Sequence, residues 1–415
     1  MPVRAESTGD LPRGPRDRVR PAEREVCFVR SAIATSALLV VTMLLGSGAA
    51  IAAPDPATAA LAYLAGQQGA DGSIAASAGP TEDFILGAAA ANYDPNALVS
   101  CTGKSAYQYL TANLTTETST AGGTSKLILA VLAGKLDPAA FGGQNLISRL
   151  GTFLNTTTGA YGDGSTFGQS LAILALKGAA QPIPPSAVTE LKALQDTDGS
   201  WNYQASSNST TGDTNSTAIA VEALIAAGVA PSDASMTKAI AYLHTQQNTD
   251  GGFTYSAPGL SDPDSDALVI QALVALNEDP IGAAWTVGGK TVFSDLLSRQ
   301  AANGGFIYPG NPTADAFTTS QVPAGLKKVP LPGTTTWQAG ATIPGVSCPA
   351  PAPSASHAPS ASRAPGITPP PTSTAGAPVG ADEGGPIGPA LFGFLALAVV
   401  IGSSIFGRRI SLEQR

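Results

Sequence analysis

The chain has 415 residues, enough for two or three domains, and only 13% of them are charged. A formal net charge of −8 and a sequence pI of about 4.8 leave no clustered field of Lys and Arg. Nucleic acid is thereby excluded as a partner, because phosphate binding needs such a field.

From the N-terminus, residues 31–45 are apolar, follow Arg20, Arg24 and Arg30, and run into small residues ending Ala50-Ile51-Ala52-Ala53. That is the pattern of a secretory signal peptide, placed over residues 1–52. Cys27 lies within it, which leaves Cys101 and Cys348 in the exported chain. Two cysteines in an oxidising compartment predict one disulfide, Cys101–Cys348, the alternative being two separate thiols.

Residues 53–348 are internally repetitive. Gly-rich turns recur at Gln68…Asp71-Gly72, Tyr161-Gly162-Asp163-Gly164, Gln195…Asp198-Gly199, Gln246…Asp250-Gly251 and Gln300…Asn303-Gly304. Each turn ends a helical stretch such as 59–68 or 236–247, with apolar residues at three and four spacing, and Gly beyond a C-cap stops a helix. A more apolar helix follows each turn, predicted over 84–91, 126–133, 170–178, 218–227 and 267–276, and should face inward. Near 105–114 a further hairpin lacks the Asp-Gly turn. The spacing predicts six antiparallel helix pairs, an all-α (α/α)6 toroid with six parallel inner helices. A closed ring of repeats needs no capping units.

Aligning the inner helices by their Ala-Leu cores gives a column at their predicted starts: Asp83, Ser125, Gln169, Thr217, Asp266 and Asp315. These are expected to face one rim of the ring, with Tyr203, Tyr255 and Tyr308 beside them. Six helix N-termini aimed at that rim favour anionic or amide-rich ligands. Two readings stand together: Ser, Thr and Asp as plain caps, or caps that also touch a ligand. Gln169 is a poor cap, so capping explains it least.

Residues 349–386 are rich in Pro, Ala, Ser and Thr and cannot build a core. They read as an extended stalk, reaching about 100 Å at ~3.1 Å per residue. Residues 387–406 carry no charge and match one membrane span, and Arg408 and Arg409 open a short cytoplasmic tail over 407–415. The expected topology puts residues 53–348 outside the cell, tethered to the cytoplasmic membrane.

The pattern Gln-x-x-x-Gly-x-Trp/Phe, seen at Gln195…Gly199-Ser-Trp201, Gln247…Gly251-Gly-Phe253 and Gln300…Gly304-Gly-Phe306, resembles the QW repeats of the prenyltransferase and squalene–hopene cyclase superfamily. The resemblance implies that superfamily's toroid and leaves activity open, since the repeat is structural. The zinc-dependent prenyltransferase branch implies Asp, Cys and His ligands. This chain has two His, His244 and His357, so no metal is expected. The thioester branch implies a Cys-Gly-Glu-Gln motif, which is absent. The class II cyclase branch implies D-x-D-D-T-A, matched in part by Asp262-Pro-Asp264-Ser265-Asp266-Ala267, which would make Asp264 the general acid. The same alternate carboxylates are also an incomplete calcium loop, without the Gly and final Glu of an EF-hand. The chain is also similar to the helical barrel of the cobalamin carriers intrinsic factor and transcobalamin. No β domain like the one that closes over their ligand is evident.

Three functions follow as expectations. The first is capture of a small ligand, such as cobalamin or another corrinoid, for an uptake transporter, with no resident cofactor. The second is a terpene cyclase or prenyltransferase-like enzyme using Asp264. The third is a cell-envelope interaction module without a small ligand.

Overall fold

The computed structural model describes residues 54–203, 212–333 and 336–346. The expected signal peptide, the stalk, the segment 387–406, the tail and Cys348 lie outside the described residues. Among the described residues, no helix is long and apolar enough to cross a membrane.

In chain order the helices are α1 (Pro56–Gln67), α2 (Ala78–Ala90), α3 (Ala106–Ala112), α4 (Leu114–Glu117), α5 (Ala121–Ala133), α6 (Leu146–Gly151) and α7 (Thr166–Gly178). They continue with α8 (Pro185–Ala193), α9 (Thr214–Ala226), α10 (Ala234–Gln246), α11 (Pro263–Ala275), α12 (Val292–Ser298) and α13 (Ala316–Leu326). A two-residue antiparallel ribbon, β1 (Thr286–Val287) with β2 (Lys290–Thr291), precedes α12.

Six helices form a closed inner ring. Helix α2 packs on α5, α5 on α7, α7 on α9, α9 on α11, α11 on α13, and α13 back on α2. The helices run parallel, since residues at like levels meet: the Cα of Gly122 faces Gly168, and a Cβ on Gly87 would strike Pro323. These helices are buried almost all round. Leu127, Ile128, Leu129, Ala130 and Val131 are five consecutive fully buried residues, as a helix between an outer layer and a filled bore must be. Helices α3, α6, α8, α10 and α12 pack outside the ring. The sixth outer place belongs to α1, which packs on α13 as well as on α2.

The Gln of each turn latches neighbouring units. Gln195 Nε2 donates to the Gly199 carbonyl at 2.9 Å and to the Ser235 carbonyl, beside the start of α10, at 2.8 Å. Gln247 makes the same pair to Gly251 and Trp285, and Gln300 to Gly304 and Pro56. Gly199 has φ +95°, and a Cβ there would collide with the Lys238 backbone of α10. Both the left-handed conformation and the close approach therefore require glycine. The aromatics after these turns, Trp201, Phe253 and Phe306, are fully buried and fill the gap between hairpins.

After α13 the chain turns back into the bore from the C-terminal end of the ring. Gln271 Nε2 donates to the Val329 carbonyl at 2.8 Å, and the Leu331 N–H donates to Glu222 Oε2 at 2.7 Å. Pro332 packs where Gly178 lacks a side chain. Further on, Trp337 Nε1 donates to the Ala133 carbonyl at 2.7 Å, and Lys135 Nζ sits 4.0 Å above the Trp337 ring. The Asp94 N–H donates to the Ala341 carbonyl at 2.8 Å. The base of the ring is thus stoppered by its own chain. Cys101 is disulfide-bonded and lies in the loop after this base.

Candidate functional site at the mouth of the ring

The N-caps of the inner helices lie four to six residues before the expected starts, at Ser77, Thr120, Ser165, Asp213 and Asp262, and, at the expected place, at Asp315. Their first turns are Gly-, Ser-, Thr- and Asn-rich, which hid them behind the Ala-Leu cores. Alignment on those cores therefore mixed four different helical positions into one column.

The structure separates them. Gln169, Thr217 and Asp266 each stand four residues after an N-cap and point outward to their own turn. Gln169 Oε1 accepts the Tyr161 N–H at 2.7 Å, Thr217 Oγ1 the Trp201 N–H at 3.0 Å, and Asp266 Oδ1 the Phe253 N–H at 2.6 Å. The true members of that column include Thr81, on the Ile74 N–H, and Thr319, on the Phe306 N–H. Gln169 Nε2 also donates to the Gly159 and Ala187 carbonyls at 3.0 and 2.9 Å, so it replaces the latch Gln that its turn lacks. Ser125 is spent on the Ala121 carbonyl of its own helix. Asp315 is an N-cap, accepting from Thr318 N–H at 2.8 Å. Of the six expected rim residues, Asp83 alone lies on the bore stripe.

That stripe follows from helical geometry. Glu222 and Gln271 touch the chain inside the bore and stand nine residues after their N-caps. Positions two and six residues after the cap share their face. At the first level lie Phe167, Asn215, Asp264 and Phe317, and at the second Asp83, Lys126, Leu171, Ile219, Leu268 and Gln321. Core-based alignment missed all of these but Asp83, and only the partial acid motif had singled out Asp264. A seven-residue bore period, counted from the Ser, Thr and Asp caps, would have found them.

The mouth is divided. Lys126 Nζ on α5 pairs with Asp83 Oδ1 on α2 at 2.7 Å, both largely buried. Across the ring, Leu171 of α7, Ile219 of α9 and Leu268 of α11 form an apolar arc. Aromatic rings border it. Phe167 lies 6.0 Å from Tyr203 between centroids, and Phe317 is 43% exposed. Tyr255 donates its hydroxyl to Asp213, and the charges of Asp262 and Asp264 near Tyr308, after burial, raise its phenol to about 12. Tyr203 is thus placed beside Phe167 of α7, Tyr255 beside the cap of α9, and Tyr308 near Asp262 and Asp264 of α11.

The three carboxylates of Asp262-Pro-Asp264-Ser-Asp266 diverge. Asp262 caps α11, accepting from the Asp264 and Ser265 N–H groups and the Ser265 hydroxyl. Asp266 faces its turn. Asp264 faces the bore, and its Oδ1 is buried without a hydrogen-bond partner. Burial, followed by the charges of Asp262, Asp315 and Asp83, raises the Asp264 carboxyl well above the usual carboxylate range. It therefore holds its proton far more tightly than an exposed Asp. Among the described residues, no group of three or more His, Cys, Asp or Glu is arranged to hold a metal ion.

The helix N-termini do converge on the mouth, but five of the six carry a side-chain cap, three of them aspartates. Those carboxylates offset the positive dipole ends, which corrects the expected preference for an anionic ligand.

No family model matches the chain, and no curated protein matches it. Solved structures similar to it include the type II terpene cyclase MstE from Scytonema, at 16% identity and a TM-score of 0.47, covering 66% of this chain and 96% of that one. A protein from Actinoplanes is similar at 14% identity and TM-score 0.47, covering 66% and 98%. The ent-copalyl diphosphate synthase from Streptomyces platensis follows at 15% identity and TM-score 0.41, covering 60% of this chain and 49% of its own.

Proposed function

We propose that the mouth of the ring takes an apolar, unsaturated molecule of isoprenoid type, and that Asp264 presents its proton to it. The observation that carries this reading is the buried, unpartnered Oδ1 of Asp264, on a bore stripe that also presents Phe167, Leu171, Ile219, Leu268 and Phe317. A neutral acid can donate to a π bond or a weak acceptor, where a carboxylate would repel both. Around it, Phe167, Tyr203, Tyr255, Tyr308 and Phe317 offer faces that favour developing positive charge.

Proton transfer extends the same reading to catalysis. The Asp264 O–H bond would break, the proton would add to an alkene carbon, and the cation so formed would later return a proton from the product. Ser265 gives its hydroxyl to Asp262 rather than to Asp264. Asp264 therefore lacks a local donor to stabilise its carboxylate, which limits its acidity. Binding is accordingly the primary role, and turnover the stronger form of it.

The signal-like segment 31–45, the stalk and the uncharged segment 387–406 support export and membrane tethering, and Cys348 is the proposed partner of Cys101. An uptake transporter would be the partner if the ligand is captured rather than converted.

The test uses the full chain in lipid nanodiscs with a radiolabelled polyprenyl probe, and cobalamin as a rival followed by its visible absorbance. Saturable prenyl binding that weakens at least tenfold in Asp264→Asn supports the proposal. A product that disappears in the same variant adds catalysis. Absence of prenyl binding removes the proposal, and one-to-one cobalamin binding in its place would restore the corrinoid reading.

A further inference from the structure

The Lys126–Asp83 pair is built into the bore at some cost, because it buries two charges at the entrance. Lys126 also offsets the charges of the buried Glu82 and of Glu117. Its neighbours at the same level, Leu171, Ile219 and Leu268, show that an apolar residue fills this position elsewhere in the ring. The pair spans α2 and α5, and α5 stands three places from α11 in the ring of six. Asp264 and Lys126 therefore occupy opposite walls. Between them on one side lies the apolar arc of α7 and α9, and on the other Gln321 and Phe317 of α13.

We propose that this pair reads the polar end of the ligand, and that this end is a neutral group with both a donor and an acceptor, such as an alcohol, rather than a phosphate or diphosphate. The inference rests on the reading of the mouth as an isoprenoid site and adds which members of that class it admits. A hydroxyl can accept from the Lys126 ammonium while donating to the Asp83 carboxylate, leaving the pair intact. A diphosphate would need surplus positive charge. Lys126 is the sole cation on the bore stripe among the described residues, and Asp83 already neutralises it. Asp262 and Asp315 cap α11 and α13 at the same mouth and add negative potential. Asp264, on the opposite wall, brings no cation either. The ligand thus lies across the mouth, its hydrocarbon on the apolar arc and its polar end at α2 and α5.

The experiment compares geranylgeraniol with geranylgeranyl diphosphate, each carrying a diazirine, on the full chain in nanodiscs, with labelled peptides mapped by mass spectrometry. The alcohol is expected to label bore residues at least tenfold more efficiently than the diphosphate. Asp83→Asn, which removes the carboxylate paired with Lys126, should raise diphosphate labelling about tenfold, and adding Lys126→Met should abolish that gain. Preferential labelling by the diphosphate in the unaltered chain overturns this inference and leaves the isoprenoid reading standing. Labelling by neither probe removes both. Equal labelling that Asp83→Asn does not change also overturns the inference, because the pair would then read nothing.

Discussion

Gln300 and Pro56 are 244 residues apart in sequence, yet Gln300 Nε2 donates to the Pro56 carbonyl at 2.8 Å. The same amide donates to Gly304 at 2.9 Å, and Tyr63 donates to the Ala314 carbonyl at 3.1 Å. These contacts make the first helix the outer partner of the last, so the ring is closed by the repeat's own latch.

Gln300→Ala is therefore expected to destabilise the fold by about 1–3 kcal/mol, the cost of leaving two carbonyls without their donor. Gln247→Ala, which removes the same latch between consecutive units, should cost a similar amount. Urea unfolding of both variants checks this. A neutral Gln300→Ala beside a costly Gln247→Ala would show that the closing contact carries no load.

Gln169→Ala should cost more, on the order of 3 kcal/mol or above, because one fully buried side chain serves three backbone groups. Affinity per folded molecule should not change, since the side chain points away from the bore. A tenfold loss of affinity at unchanged stability would return Gln169 to the ligand.

Asp264→Asn is expected to raise stability near neutral pH while it lowers binding. The folded carboxyl lies well above the ordinary value of 3.8. Above 3.8 the unfolded chain is ionised and folding must take up a proton, so stability falls as pH rises from 3.8 towards the folded value. Asparagine has no such uptake. The gain should be measurable at pH 7.5 and vanish near pH 3. Melting curves at both values decide it.

Glu222 provides a second pH dependence, at the base. Burial, opposed by the Leu331 N–H, raises its carboxyl to about 8 from 4.5. Its contribution is fully present below pH 4.5 and is lost as pH rises to about 8. Glu222→Gln keeps an acceptor for Leu331 and should flatten the fall in melting temperature across that window. An unchanged profile in the variant would mean that other groups set it.

The ring was legible because its signals are local. Gly after a helix, an aromatic two residues on and a latch Gln four residues before that Gly recur together at Gly199, Gly251 and Gly304. Asp264 was legible too, since its neighbours spell part of a known acid motif. The bore was not. Side chains two residues apart on a helix point in nearly opposite directions, so an alignment error of one or two positions exchanges lining for packing. Asp266 and Asp264 illustrate this: one holds a turn and the other faces the opening. Lys126 was hidden for a different reason, because its pairing with Asp83 joins two helices separated by a hairpin whose turn has lost the repeat pattern.

The stopper at the base also fixes the end of the ring to which the last described residues are bound. Ala341 is pinned beside Asp94, on the far side of the ring from Asp264. Whatever continues from there pulls on the closed end, so a tether along this route would work like a stem under a cup, leaving the opening turned outward to whatever arrives from solution.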